Sequence, residues 1–522
     1  MKGKMKKHIY IIKKVALVLP LLFVAFSCDD MLDVQPRTQV SSDNVLQTPD
    51  DISSAIISIY ARLRAESNYG RNLMALSDAL ADIGYATNNS GRLINENRNI
   101  QLNHFTHWQN NYFAINEINV ALAAIDELNF TPAPTQQTVD RWIGQLKFLR
   151  ALFYHDLVKA YAYDPGTAGP VASQDRGGIP LLLSGVKTLA ADASAATAPR
   201  ASVADVYAQL YADLNDAVAR FTTSGSPSGA PFIAGRAAAE ALLSRVALFN
   251  RDYATVVSAS TAAITNSVVG NLQIGNAYVA GWRAAQHPES IFELKFQAAI
   301  ESLGVNVSMQ SSFTSGLSLS SLGSQGGWGD FAPLPALLAA YGVTPNPPIG
   351  TQLPAASVGT IASATDVRSQ LFGVGPGRGS GRKWECIKFI AKNGVPYLDN
   401  VPIIREAEMF LNRAEAYATP GSAVFNQTLA LADLNTVRTA RGLATVSLSG
   451  TALYNEILNQ RRLEFAFEGH RWFDLKRLGL DVIKAGQFTG AVNVPFTDFR
   501  RLANIPQREV DGNPNLQQNF GY

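Results

Sequence analysis

The chain has 522 residues, 47% of them hydrophobic and only 16% charged. That length is material for three or four domains, and the apolar content excludes both a disulfide-stapled miniature and disorder along most of the chain. The formal net charge of +2 hides an asymmetry: residues 1–27 hold six lysines and no acid, which leaves 38 basic against 42 acidic residues in the rest. Such a balance, with no basic run, argues against a protein that coats nucleic acid.

In chain order, the lysines precede a short apolar stretch, Val15 to Phe26, followed by Ser27-Cys28. Twelve helical residues reach about 18 Å, short of the roughly 30 Å hydrocarbon core of a bilayer. The stretch therefore reads as a secretory signal over residues 1–27. Cys28, one of only two cysteines, stands where cleavage would occur and reads as the acylated residue of a bacterial lipoprotein, anchored by more than one lipid chain. The other, Cys386, reads as a small core residue. Two cysteines build no disulfide framework and no metal site. Residues 28–50, opening with Asp29 and Asp30, form a tether.

Helical periodicity dominates both ends of the chain beyond the tether. Residues 51–65 and roughly 105–128 are amphipathic, the second opening at Thr106 with Trp108, Tyr112, Ile115, Asn119, Leu122 and Ile125 on one side. Pro132 and Pro134 break the pattern, and a second long helix runs from Val139 to about Tyr161, giving a helical hairpin. Ser202–Phe221, Arg236–Asn250 and Asp252–Asn266 repeat that grammar, and near the C-terminus Ile404, Ala407, Leu411, Ala414 and Ala418 form a narrow stripe followed by Phe425–Arg441. Small residues at such contacts let paired helices nest, as in tetratricopeptide arrays. Between them, residues 271–400 are rich in Gly, Ser and Pro, with short β-like runs such as Ser290–Phe296. The expected architecture is mainly α: helical hairpins over 51–270 and 401–522, carrying a loop-rich insert with minor β structure over 271–400.

Catalytic signatures are missing. No G-x-S-x-G, H-E-x-x-H, Walker loop or G-x-G-x-x-G occurs, and the glycine-dense run Gly373–Arg382 lacks dinucleotide spacing. His104 and His107 stand three apart with nothing to complete a metal site, and read as surface imidazoles. The densest local signal is Asn459–Gly479, where Arg461, Arg462, Glu464, Glu468, Arg471 and Asp474 alternate with aromatic residues. That interleaving favours a half-buried ion network pinning the last helices to the array, with Glu464–Glu468 and Glu468–Arg471 at helical spacing.

This segment closely resembles the C-terminal signature of the SusD/RagB family. Other matches run in order along the chain: Cys28 with Leu32-Asp33, the Trp108–Asn119 helix, Gly144–Val158 ahead of Gly178–Leu181, Ile404–Glu408 with Arg413–Ala416, Leu434–Arg438, and Ile505-Pro506 with the closing Asn513–Tyr522. The resemblance implies a non-enzymatic lipoprotein without cofactors, on the outer leaflet of the outer membrane. Its partner would be a SusC-like TonB-dependent transporter, over which it acts as a lid delivering an oligosaccharide or a peptide. It also implies four tetratricopeptide-like hairpins supporting a variable loop region, and Asp29-Asp30 resembles the surface-export signal of such lipoproteins. Two rival readings are a helical-repeat scaffold that binds only protein and a surface glycan hydrolase.

A glycan site needs exposed aromatic rings among polar groups, because sugars present apolar C–H faces and hydrogen-bonding hydroxyls. Trp328, flanked by glycines in Ser321–Asp330, is the first candidate; Tyr69, Tyr85 and Trp282 follow, with Arg71 and Asn72 as polar contacts beside Tyr69.

Overall fold

The structure, a computed structural model, describes residues 46–127, 129–187, 193–267, 272–297 and 301–522. The signal segment, Cys28 and most of the tether lie outside them. Its framework is a succession of helices whose starts are written locally. Helix α1 (Pro49–Leu63) opens with a capping box, in which the Thr48 hydroxyl accepts from Asp51 N at 3.2 Å and the Asp51 carboxylate accepts from Thr48 N at 2.8 Å. Its buried stripe is Ile52, Ile56, Ile59, Tyr60 and Leu63. Helix α2 (Asn72–Leu80) falls where the sequence reads as loop. Eight of its nine residues are buried, and so short a run gives periodicity too few turns to mark it as a helix.

Helices α3 (Trp108–Glu127) and α4 (Gln136–Tyr161) make the first hairpin. Thr135 caps α4 and starts it one turn earlier than expected. Helices α5 (Val203–Ser224), α6 (Arg236–Phe249) and α7 (Tyr253–Asn266) come next, α5 capped by Ser202 and α7 by Asp252. Arg150 on α4 ties three helices together, donating to Asp213 of α5 at 2.6 and 2.8 Å and to Asn119 of α3 at 2.8 Å. The alanines of α6 let its neighbours approach closely: Ser244 and Ser260 hydroxyls meet across α6 and α7 at 2.7 Å, and Asn412 reaches Ser244 from α8 (Glu406–Ala418). Helices α9 (Gln427–Ala440) and α10 (Gly450–Glu464) complete this end, with Ala414, Ala418, Ala430, Leu434, Leu453 and Ile457 packed among α8, α9 and α10. A short helix, α11 (Arg471–Arg477), lies against α2. The fold is the expected mainly α array of helical hairpins.

Strands are few and short. β1 (Gly84–Ala86) pairs with β3 (Phe331–Pro333), β2 (Ser290–Leu294) with β6 (Val401–Arg405), and β4 (Phe372–Val374) with β5 (Trp384–Cys386), all antiparallel. The wholly buried β2–β6 ribbon joins the two ends of the loop-rich insert at the helical array. Ile404 therefore belongs to a strand, and α8 begins only at Glu406. The β1–β3 ribbon draws residues 84–92 into the insert's loops, which sets up the site. Cys386 is buried in β5, where burial pushes its thiol up to about 12.

Candidate functional site

Trp328 sits where three loops meet. Its amide donates to Ser311 O at 3.0 Å, and the next amide, of Gly329, donates to the same carbonyl at 2.8 Å. This close seating explains the flanking glycines. A Cβ on Gly327 would lie 2.0 Å from Thr314 O, and one on Gly329, at φ +60°, would lie 2.8 Å from the Glu385 carboxylate. From the N-terminal side, Thr87 Oγ1 donates to Gly329 O at 2.6 Å and Asn89 Nδ2 to Trp328 O at 2.7 Å. Ser90 and Arg92 donate to the two carboxylate oxygens of Asp330 at 2.6 and 2.9 Å. From the third loop, Arg378 stacks over the indole, 4.1 Å from its centroid, while donating to Gly327 O at 2.7 Å. The indole is half-buried and its Nε1 lies inside, so its accessible part is carbon.

Two carboxylates underlie this cluster, and both are engaged. Asp330 is held by Ser90 and Arg92, and the fully buried Glu385 accepts from Ser315 N at 2.7 Å, the Ser315 hydroxyl and Thr314 Oγ1. Burial pushes both carboxyls upward, opposed at Asp330 by Ser90 and Arg92 and at Glu385 by Lys383 and the Ser315 amide.

The other candidates divide. Tyr85, on β1, is half-buried and stands opposite Ala332 of β3; burial raises its hydroxyl, and the field of Glu385 adds to this. Arg71 pairs with Glu66, donates to Asn72 Oδ1 at 2.9 Å and to Asn306 O at 3.1 Å, and Arg92 reaches that same carbonyl. Arg71 and Asn72 thus border the cluster through Asn306. Tyr69 does not: it is buried, its hydroxyl donating to Asp156 at 2.8 Å in the helical core. Trp282 is likewise removed from any ligand, fully buried with Lys388, Lys392 and Arg405 against its faces and His287 and Phe389 against its edges. Both were expected as weaker ligand candidates, and both are buried packing residues. Asn89, Arg92, Arg378 and Asp330 went unread. The one signal that pointed to Arg378 was a run of cations, Arg378, Arg382 and Lys383, with no acid among them until Glu385.

His104 and His107, expected at the surface, are buried. Their rings donate to separate carbonyls, Arg500 O and Asp156 O, and burial lowers them to about 3 and about 4.

The signature segment forms a separate, interior system. Glu464 accepts from Arg441 at 2.9 and 3.0 Å, from Arg405 at 2.9 Å and from Arg368 at 3.4 Å. Burial alone would raise its carboxyl; Arg441 and Arg405 hold it well below the usual range. Arg405 and Arg441 also share Glu289, and Glu468 accepts from Arg405 and Lys388. Arg461 and Arg477 converge on Asp474. The pairing differs from the helical-spacing expectation because α10 stops at Glu464 and the chain turns at Phe467 and Gly469, both at positive φ. Glu468 consequently faces β6, and Arg471 pairs with Asp82 instead. Arg462 stands outside the network, donating to Asn459 and making no ion pair among the described residues.

Sequence comparison places these features in a lineage. Residues 390–522 match a family model described as the SusD family, and residues 30–248 match one described as starch-binding associating with outer membrane. A SusD-like protein of Formosa agariphila is 24% identical over 560 aligned positions, covering 97% of this chain and 98% of that one. Among solved structures, a SusD superfamily protein from Bacteroides thetaiotaomicron has 23% identity and a TM-score of 0.74, over 90% of this chain and 99% of that one. A laminarin-binding SusD-like protein has 20% identity and a TM-score of 0.64, over 91% and 100%. With both ends of the chain matched by the family's models and the helical array matched by its structures, the protein belongs to the SusD/RagB family.

Proposed function

We propose that this protein binds an oligosaccharide in the loop cluster around Trp328 and delivers it to a SusC-like TonB-dependent transporter, for which it serves as the lid. The observation that carries the reading is the half-buried indole, locked in place by glycine-dependent loop packing, with Arg378 over the ring and Asn89 and Arg92 bound to the backbone and side chain beside it. A flat carbon surface with hydrogen-bonding groups at its rim fits a sugar ring. The laminarin-binding relative and the starch-binding description of the matched N-terminal region support a saccharide over a peptide. On this reading the 271–400 segment and the loop around residues 67–104 choose the ligand, while the rest of 51–270 and 401–522 hold them in place. The two carboxylates near Trp328 are occupied by internal hydrogen bonds, which supports binding without turnover. Anchoring falls to acylated Cys28, at the outer face of the outer membrane.

Retention on an array of immobilised oligosaccharides and peptides tests the ligand class. Saccharide-only retention is expected, and peptide-only retention contradicts the reading. Cys28→Ala should release the protein from the membrane fraction, and extraction in mild detergent should recover the native protein with a TonB-dependent barrel. Normal surface retention of the alanine variant, or recovery of a lone chain where comparable pairs survive, refutes the anchor or the partnership.

A further inference from the structure

We infer that the ligand taken at Trp328 is an acidic oligosaccharide, its carboxylate or sulfate groups read by a cation strip on the 375–383 loop. This deepens the saccharide reading and rests on it. Charge is distributed unevenly around the indole. On the N-terminal side each cation is answered: Arg71 pairs with Glu66 and lies in the field of Glu96, and Arg92 pairs with Asp330. On the 375–383 loop, whose Arg378 covers the indole, Arg378, Arg382 and Lys383 are half-buried and make no ion pair among the described residues. They donate only to neutral oxygens: Arg378 to Gly327 O, Arg382 to Leu353 O, Lys383 to Gly381 O and the Ser380 hydroxyl. The acid next to them in sequence, Glu385, is fully buried and turned inward to Ser315 and Thr314, although Lys383 feels its field.

The loop is built to present these groups. Gly377 and Gly381 take positive φ, and Gly381 N donates to Arg378 O at 2.9 Å, closing a tight turn that no side chain could enter. Arg378 is pre-oriented: its Nε and Nη2 point at Gly327 O and Gly326 O, its Cζ lies 4.1 Å from the indole centroid, and Nη1 has no partner among the described residues. A guanidinium fixed beside a stacking ring, with donors free, suits a planar carboxylate or a sulfate ester carried on a sugar. A neutral glycan would leave the strip's charge unanswered.

The test is calorimetry of the full chain with oligogalacturonate, a sulfated galactan oligosaccharide and a laminari-oligosaccharide of equal length, at low and high salt. An acidic ligand should bind about tenfold or more tighter than the neutral one at about 0.05 M NaCl, with most of that advantage gone at about 0.5 M. Which acidic ligand wins tells carboxylate from sulfate. R382Q/K383Q and, separately, R378Q should each reduce the advantage without lowering the melting temperature; where R378Q melts lower, R378K, which keeps the charge, should retain the preference. Equal or tighter neutral binding overturns the acidic preference while leaving the saccharide reading intact. An advantage unchanged in every variant overturns its assignment to this strip, and binding of no saccharide at all overturns both.

Discussion

The signature segment and the Trp328 cluster are both rich in arginine beside aromatic rings, yet they treat charge in opposite ways. Around Glu464, three arginines and their acids are sealed from water and every guanidinium meets a carboxylate, in a system that joins α10 and β6 to Glu289 just before β2, Arg441 just after α9 and Arg368 of the insert. Around Trp328 the cations of the third loop meet only carbonyl and hydroxyl oxygens; of the two acids there, Glu385 faces inward and Asp330 is taken by Ser90 and Arg92. Buried charges persist only when paired and hydrogen-bonded, so the first arrangement is what a scaffold requires. Cations left half-exposed and unpaired contribute little to the fold and remain open to a ligand. Composition alone does not separate the two regions; partner geometry does.

The contrast is most exposed to refutation at Glu464. Glu464→Ala leaves Arg368, Arg405 and Arg441 without their shared acceptor and should cost about 3–5 kcal/mol of stability, read as a large fall in melting temperature. A loss under about 1 kcal/mol would mean that these charges are solvated or redundant.

Asp399 tests the insert's own framework. Its carboxylate accepts from Gln310 N at 3.0 Å, and burial pushes it up to about 7, opposed by that amide and Lys392. A carboxyl whose folded pKa exceeds its unfolded value contributes stability that is complete below the unfolded value and is lost as pH rises through the folded one. Wild type should therefore lose stability between about pH 4 and about pH 7 relative to Asp399→Asn, by up to roughly 4 kcal/mol, and the two should coincide at lower pH. Parallel melting curves across that range would remove the burial argument for this part of the insert. Arg462→Ala, outside the ion network, should change stability by less than about 0.5 kcal/mol; a loss like that of Glu464→Ala would place it back among the buried pairs.

Much of the helical array was legible because its information is local. Ser202, Asp252 and Thr135 cap helices within three residues of the groups they satisfy, and the α1 stripe repeats at helical spacing. The β2 run was legible for the same reason, its length and β-branched or aromatic residues marking a short strand. Helix α2 escaped because nine mostly apolar residues are too short a run for periodicity to identify. The site was harder. Trp328 was readable from its glycines, since a ring in that setting cannot be covered by its own element. Tyr69 and Trp282 look the same in sequence and are buried only through distant partners, Asp156 in one case and Lys388, Lys392 and Arg405 in the other. Asn89 and Arg92 were invisible because their contacts to Trp328 and Asp330 span more than two hundred residues.

If Trp328 binds ligand and does not hold the fold together, removing its indole must separate affinity from stability. Calorimetry of wild type and Trp328→Ala with the oligosaccharide that the wild type retains tests this, alongside their melting temperatures. Affinity should weaken by about 1–3 kcal/mol, the scale of stacking on an aromatic side chain, with the melting temperature unchanged. Unchanged affinity, or affinity lost together with stability, would contradict the binding role and make Trp328 a packing residue.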